Sequence, residues 1–207
     1  MRPRLFVVTG PSGAGKGTLI QKLVAGRSDL AVAVSATTRP LRRGEEDGRE
    51  YHFLSAEEFQ RRVDGGEFLE HVDYVSGHRY GTLREEVDRI LASGRSVVLE
   101  LETRGAKEVQ ATIPEAVTIF VEPPSFAELE RRLRERATES AGEIGERLEL
   151  ARRQAGEAGD FDHVVTNDDV GRAVAELGSL VDLYGAASSS APTTCAGPST
   201  ARRSRSA

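Results

Sequence analysis

The chain has 207 residues, 38% of them hydrophobic, enough for one compact domain carrying small inserted lobes. Its 28 basic and 33 acidic residues give a net charge of -5, which excludes a polycation binding nucleic acid through bulk charge; no specific nucleic-acid partner is expected. The single cysteine, Cys195, excludes an intrachain disulfide and a cysteine-built zinc cluster, and no apolar run reaches membrane-spanning length, so a cytoplasmic protein is expected.

In chain order, "RLFVVTG" reads as a short apolar strand ending on the first glycine of a loop. "TLIQKLVAG" follows with Leu19, Ile20 and Leu23 at helical spacing and Gly26 as a stop. "AVAVSATT" reads as a second strand, leading into the polar stretch "RPLRRGEEDGRE". "SAEEFQRRVDGG" carries a capping box, Ser55 with Glu58, and "EFLEHVDYVSGHRYGT" reads as two strands turning at Ser76-Gly77. Then come a helix ("LREEVDRILASG"), a buried-type strand ("SVVLELE"), a short helix ("GAKEVQATI") and a strand ("AVTIFVEPP"). A second capping box, Ser125 with Glu128, opens the arginine-rich helix "FAELERRLRER". The loop "ATESAGE", the helix "IGERLELARRQ", the strand "DHVVTN" and the helix "VGRAVAELGSLVDLY" complete the order. Strands alternating with helices imply a mostly parallel α/β sheet flanked by helices, with an inserted lobe at about 35–83 and a helical flap at about 126–145. The segment 185–207 has no large apolar residue and is expected to be a disordered tail.

The stretch "GPSGAGKGT" carries the first chemistry. Gly10, Pro11, Ser12, Gly13, Ala14, Gly15 and Lys16 fit a phosphate-binding loop, whose amides and following helix present positive ends to phosphate oxygens. The usual Ser or Thr after the lysine is absent: Gly17 stands there and Thr18 comes one position late. A dinucleotide loop fails, since its third glycine would fall on Thr18. Lysine is otherwise scarce (only Lys16, Lys22 and Lys107), so a lysine at this position argues for a specific role. Arg39, Arg42 and Arg43 cluster on a glycine-punctuated loop, which suits a second phosphate or a solvated basic face. Glu100 and Glu102 are two apart and share a strand face near its C-terminal end, where open α/β sheets bind ligands.

Taken in order, "GPSGAGKGT", "S-x-T-T-R-x-x-R-x-G-E", "FLEH", "YGT", "R-x-T-E" and "N-D" resemble the guanylate kinase family of P-loop nucleoside monophosphate kinases over about residues 4–184. The resemblance implies a P-loop NTPase-type core (1–34, 84–125 and 146–184), a mixed-β GMP-binding lobe (35–83) and a helical lid (126–145). It places the loop residues Gly10 to Thr18, with Asn167, at ATP. Arg39, Arg42, Tyr51 and Tyr80 fall at the GMP phosphate, and Ser35, Glu70, Thr82 and Glu102 at the guanine. Guanine offers two donors, N1–H and the 2-amino group, for which a carboxylate is the matching acceptor. Lys16, Arg39, Arg132, Arg136 and Arg147 fall at catalytic positions, the last three as lid arginines that neutralise charge during transfer. Thr18 and Glu100 fall near Mg²⁺, which would be held mostly through nucleotide and water. In this chain Ala137 replaces a glycine common after the lid arginine, and the turn between Glu70 and Tyr80 is one residue longer than in many members.

The implied activity is transfer of the γ-phosphoryl group of ATP to GMP, giving ADP and GDP, with a homo-oligomer left open. Two alternatives stand beside it: a kinase of the same architecture acting on another monophosphate, and a non-catalytic protein-binding module of guanylate-kinase type. The complete loop and lid set argue against the second, and Glu70, Ser35 and Thr82 argue against the first.

Overall fold

A computed structural model describes residues 2–74, 77–136 and 141–186, with residues 136, 141–144, 146 and 147 described by their backbone alone. Its centre is strand β1 (Leu5–Thr9), every residue of which is buried. Burial on both faces is what a central parallel strand requires, and its run of apolar residues without alternation provides it. Leu5 and Val7 pack on one side with Val87 and Ile90 of α3 (Arg84–Ala92) and Ala106 and Val109 of α4 (Thr103–Thr112). Phe6 and Val8 pack on the other with α1 (Lys16–Ala25) and α7 (Val170–Ala186), through Leu19, Ile20, Ala173 and Leu177.

Around β1 the sheet has the order β2-β7-β1-β8-β9, with all pairings parallel, from β2 (Leu30–Val32), β7 (Ser96–Glu100), β8 (Val117–Glu122) and β9 (His163–Thr166). A smaller sheet, ordered β4-β3-β6-β5, is built from β3 (Ala36–Thr37), β4 (His52–Phe53), β5 (Phe68–Asp73) and β6 (Arg79–Leu83). Helix α2 (Ala56–Asp64) covers it, and Ala36, Phe59, Phe68 and Leu83 form its core. Ser55 caps α2 by accepting from the Glu58 amide at 3.1 Å, as the sequence pattern predicts. The smaller sheet is not freestanding: Leu69 of β5 belongs to the core of the main sheet, beside α4.

Helices α5 (Phe126–Arg136) and α6 (Ala141–Ala155) pack on each other through Leu129, Leu133 and Ala151. Ser125 caps α5, accepting from the Glu128 amide at 3.2 Å. A 3₁₀ turn (Ala158–Asp160) leads to β9.

Four boundaries differ from the sequence reading. "AVAVSATT" is two strands in two sheets. The Ala33 amide still bonds to Val98 in the main sheet, whereas Thr37 and Ala36 pair with Tyr80 and Gly81 in the smaller one. Two apolar runs separated by one polar residue look like one strand, and nothing local marks the crossing. Strand β4 lies just past the stretch read as polar, where no strand is expected; with two residues it is too short to show a period. Helix α6 starts at Ala141, inside the expected loop, of which 137–140 (Ala137 included) lie outside the described residues. Helix α7 continues to Ala186, two residues past the expected start of the tail; 187–207 lie outside the described residues, as do Val75 and Ser76 of the expected turn.

Candidate active site

The loop between β1 and α1 is shaped by close approaches. Gly10 has φ +131°, and a Cβ there would run into the Val121 carbonyl oxygen, so no other residue fits. The Ala14 amide turns back to the Pro11 carbonyl at 3.1 Å. Lys16, at the first position of α1, is 8% exposed and donates through Nζ to the carbonyls of Gly10 (2.7 Å) and Pro11 (3.2 Å). Its ammonium is thereby held across the mouth of its own loop.

Asn167, at the end of β9, fixes the far side of this loop. Its Nδ2 donates to the Ala14 carbonyl at 2.7 Å, its amide donates to Glu122, and its buried Oδ1 has no partner. Arg132 of α5 reaches the same place, donating to the Asn167 carbonyl at 3.2 Å and lying 3.5 Å from that of Ala14, while its Nε is held by Glu128. Leu129 and Leu133 bring α5 down onto Gly13, where a Cβ would sit 3.0 Å from Leu129. Of the three arginines expected on a lid, Arg132 is the one that the described side chains bring to the loop; the side chains of Arg136 and Arg147 lie outside them.

Gly17 has a physical reason. A Cβ there would be 3.3 Å from Oε2 of Glu100, so the carboxylate fills the space beside the helix start where a side chain would project. Glu100 opens onto the cleft but is ringed by protein. Burial lifts its carboxyl above the usual range, Glu102 adds to this, and Lys16 opposes it. Thr18 is exposed on the same cleft.

This cleft has a volume of about 580 Å³ and runs from the loop to the smaller sheet. Its near wall holds Ser12, Gly13, Gly15, Lys16, Gly17 and Thr18; its floor Glu100 and Glu102; its far wall Ser35, Tyr51, Glu70 and Tyr80. Glu70 is 3% exposed and accepts from the Thr82 hydroxyl at 2.8 Å, the two residues being partners across β5 and β6. Burial raises its carboxyl to about 7, against the lowering effect of Thr82. Its Oε2 lies 2.6 Å from where a Cβ on Gly105 would be, so the first turn of α4 closes over the carboxylate only because residue 105 has no side chain. Gly105→Ala is therefore expected to turn Glu70 aside and raise the KM for GMP about tenfold, leaving the KM for ATP near its original value, as steady-state kinetics would read.

Behind Tyr51 and outside the cleft lining, Arg39 is 8% exposed and forms a bidentate pair with Glu45 at 2.8 and 3.0 Å. Its guanidinium lies 5.4 Å from the Tyr51 ring and 5.5 Å from that of Phe53. Tyr51 and Tyr80 meet edge to face at 5.7 Å, and burial raises the Tyr51 phenol above its ordinary value. Glu45, itself drawn below the usual carboxylate range by Arg39, also accepts from the Arg42 amide. The side chain of Arg42 is exposed, on the same loop but outside the cleft lining.

Three residues of this region escaped the sequence reading. Glu45 and Gly105 lie within segments that the reading did cover, but their partners come from the fold. Gln154, in the last turn of α6, donates through Nε2 to Oε2 of Glu102 at 2.5 Å; as one polar residue on a charged helix it carries no local signal.

A parallel sheet with a glycine loop between its central strand and first helix, a lysine at the helix start and a two-walled cleft over the strand ends defines a P-loop kinase. A family model described as guanylate kinase matches residues 2–184. The guanylate kinase of Rubrobacter xylanophilus is 49% identical over 176 residues, covering 85% of this chain and 92% of the relative. That of Frankia casuarinae is 47% identical over 177 residues, covering 86% and 96%. The crystal structure of guanylate kinase from Anaplasma phagocytophilum superposes with a TM-score of 0.73 at 26% identity, over 96% of this chain and 91% of that one. The chain belongs to the guanylate kinase family. Among the described residues no helix is long and apolar enough to cross a membrane.

Proposed function

We infer that the two walls of the cleft divide one reaction between them: the chain phosphorylates GMP with ATP, the loop side holding the triphosphate and the smaller sheet the monophosphate. The observation that carries this is buried Glu70, facing the loop across the cleft and braced from behind by Thr82. Its carboxylate suits a base with two adjacent donors, and adenine would offer it no such match. Thr82, behind it, with Ser35 and Glu102 makes up the guanine set, and Arg39, Arg42, Tyr51 and Tyr80 take the GMP phosphate, which competes with Glu45 for the Arg39 fork.

Transfer itself asks for positioning and charge neutralisation. The loop amides and Lys16 hold the phosphates being split, and Arg132, with Arg136 and Arg147 on the lid, adds positive charge as the chain of α5 and α6 closes and excludes water. Asn167 sets the loop against α5 at the ATP end. Among the described residues no group of three or more acidic, His or Cys side chains could hold a metal ion by itself. The hydroxyl of Thr18 and the carboxylate of Glu100, both on the cleft, fit Mg²⁺ that arrives on the nucleotide and keeps most of its water. When bound, Mg²⁺ would draw charge off the phosphate oxygens. The division into core, lobe (35–83) and lid (126–145), and a cytoplasmic location beside both nucleotide pools, belong to the same reading.

A coupled spectrophotometric assay offering ATP with GMP, AMP, CMP and UMP in turn tests it. GMP should turn over fastest by a wide margin; equal or faster turnover of AMP would refute the assignment.

A further inference from the structure

Glu102 sits at the N-terminal cap of α4 with an extended backbone, yet its side chain makes no capping bond to the helix. The positive end of α4 attracts a carboxylate placed beside it. Here it points away and is met by Gln154, which is 3% exposed and reaches it from the last turn of α6. The carbonyl oxygen of the Gln154 amide has no partner among the described residues. The amide is therefore oriented by one bond alone, its donor end fixed on Glu102 Oε2. The C-terminal end of α6 is pinned independently: Lys107 of α4 pairs with Asp160 at 2.8 Å and Glu157 at 3.3 Å, in the turns that follow α6. Gln154 is thus presented to Glu102 from a tethered helix end.

We propose that Gln154 is a positioning residue for guanine recognition, holding Glu102 off its own helix and turning its free oxygen toward the cleft. This rests on the reading that Glu102 receives the guanine base. Without that donor the carboxylate is drawn to the positive end of α4; the amide donor of Gln154 takes one oxygen and leaves the other for the incoming donors.

The test compares Gln154→Leu, Gln154→Glu and Glu102→Ala in the full chain by kcat, the two KM values and thermal melting. Gln154→Leu should raise the KM for GMP about tenfold, with the KM for ATP within about twofold of the original, as loss of a hydrogen bond to a charged group implies. Gln154→Glu keeps the shape but sets two carboxylates together. At about pH 8 it should raise the KM for GMP at least as much as the leucine variant, again with the KM for ATP near its original value. A role in packing alone would move both KM values or only the melting temperature. An unchanged KM for GMP in Gln154→Leu or in Gln154→Glu overturns the proposal. If Glu102→Ala leaves the KM for GMP unchanged, the reading of Glu102 falls, and the proposal with it.

Discussion

Replacing Glu70 with glutamine is expected to lower kcat/KM for GMP by about 10³-fold while making the protein more stable at alkaline pH. The first effect follows from recognition. An ionised carboxylate accepts from both guanine donors, whereas an amide at the same place presents one donor of its own to them. The second follows from burial. The Glu70 carboxyl titrates at about 7 in the folded chain, above its unfolded value of 4.5. Between these values the folded state binds the extra proton, so this group's contribution falls as pH rises and is fully unfavourable above about 7, by about 3 kcal/mol. Glutamine has no charge to desolvate and keeps an acceptor for Thr82. Urea unfolding should therefore show Glu70→Gln near the parent at about pH 5 and more stable by about 1–3 kcal/mol at about pH 8. A glutamine variant that is less stable at pH 8, or that retains GMP turnover, would contradict the role given to this carboxylate. Stability is given up at the site where selectivity is needed.

Lys16→Met is expected to reduce kcat by about 10³-fold or more with little change in melting temperature. The ammonium is buried and rests on the carbonyls of Gly10 and Pro11, so it can swing onto phosphate oxygens while remaining inside the loop. Methionine keeps the length and apolar stem; it leaves the buried carbonyls of Gly10 and Pro11 without their donor but also removes a buried charge, and these two effects on stability oppose each other. A melting temperature within about 2 °C of the parent, beside lost turnover, separates chemistry from folding. Retained turnover would remove Lys16 from the mechanism.

The glycine loop was legible because everything that defines it is local: an apolar strand, a helix with its own stop signal, and a lysine in a chain that otherwise uses arginine. The capping serines Ser55 and Ser125 were legible for the same reason, each needing only a partner three residues on. Glu70 was of another kind. As one glutamate on a strand it reads as a surface residue, and only an ordered set of motifs distant in sequence marked it out. The Gln154–Glu102 bond had no such support, since its partners are 52 residues apart and Gln154 has no motif of its own. The split of "AVAVSATT" was hidden because short apolar strands look alike whichever sheet they join. Gly17 looked like a missing hydroxyl in the sequence; the fold shows a neighbour, Glu100, occupying the space.

Leu69 has a mechanical consequence. It plugs β5 into the core of the parallel sheet, while the residue before it, Phe68, packs inside the smaller sheet. Strand β5 is therefore shared between the two bodies and acts as a fulcrum. Were the smaller sheet to swing, Glu70, next to the fulcrum, would have almost no arc to travel, whereas Arg39 and Tyr51, beside β3 and β4 at the far edge, would have the longest. On the function proposed above, the base would then meet a stationary jaw and the phosphate a moving one.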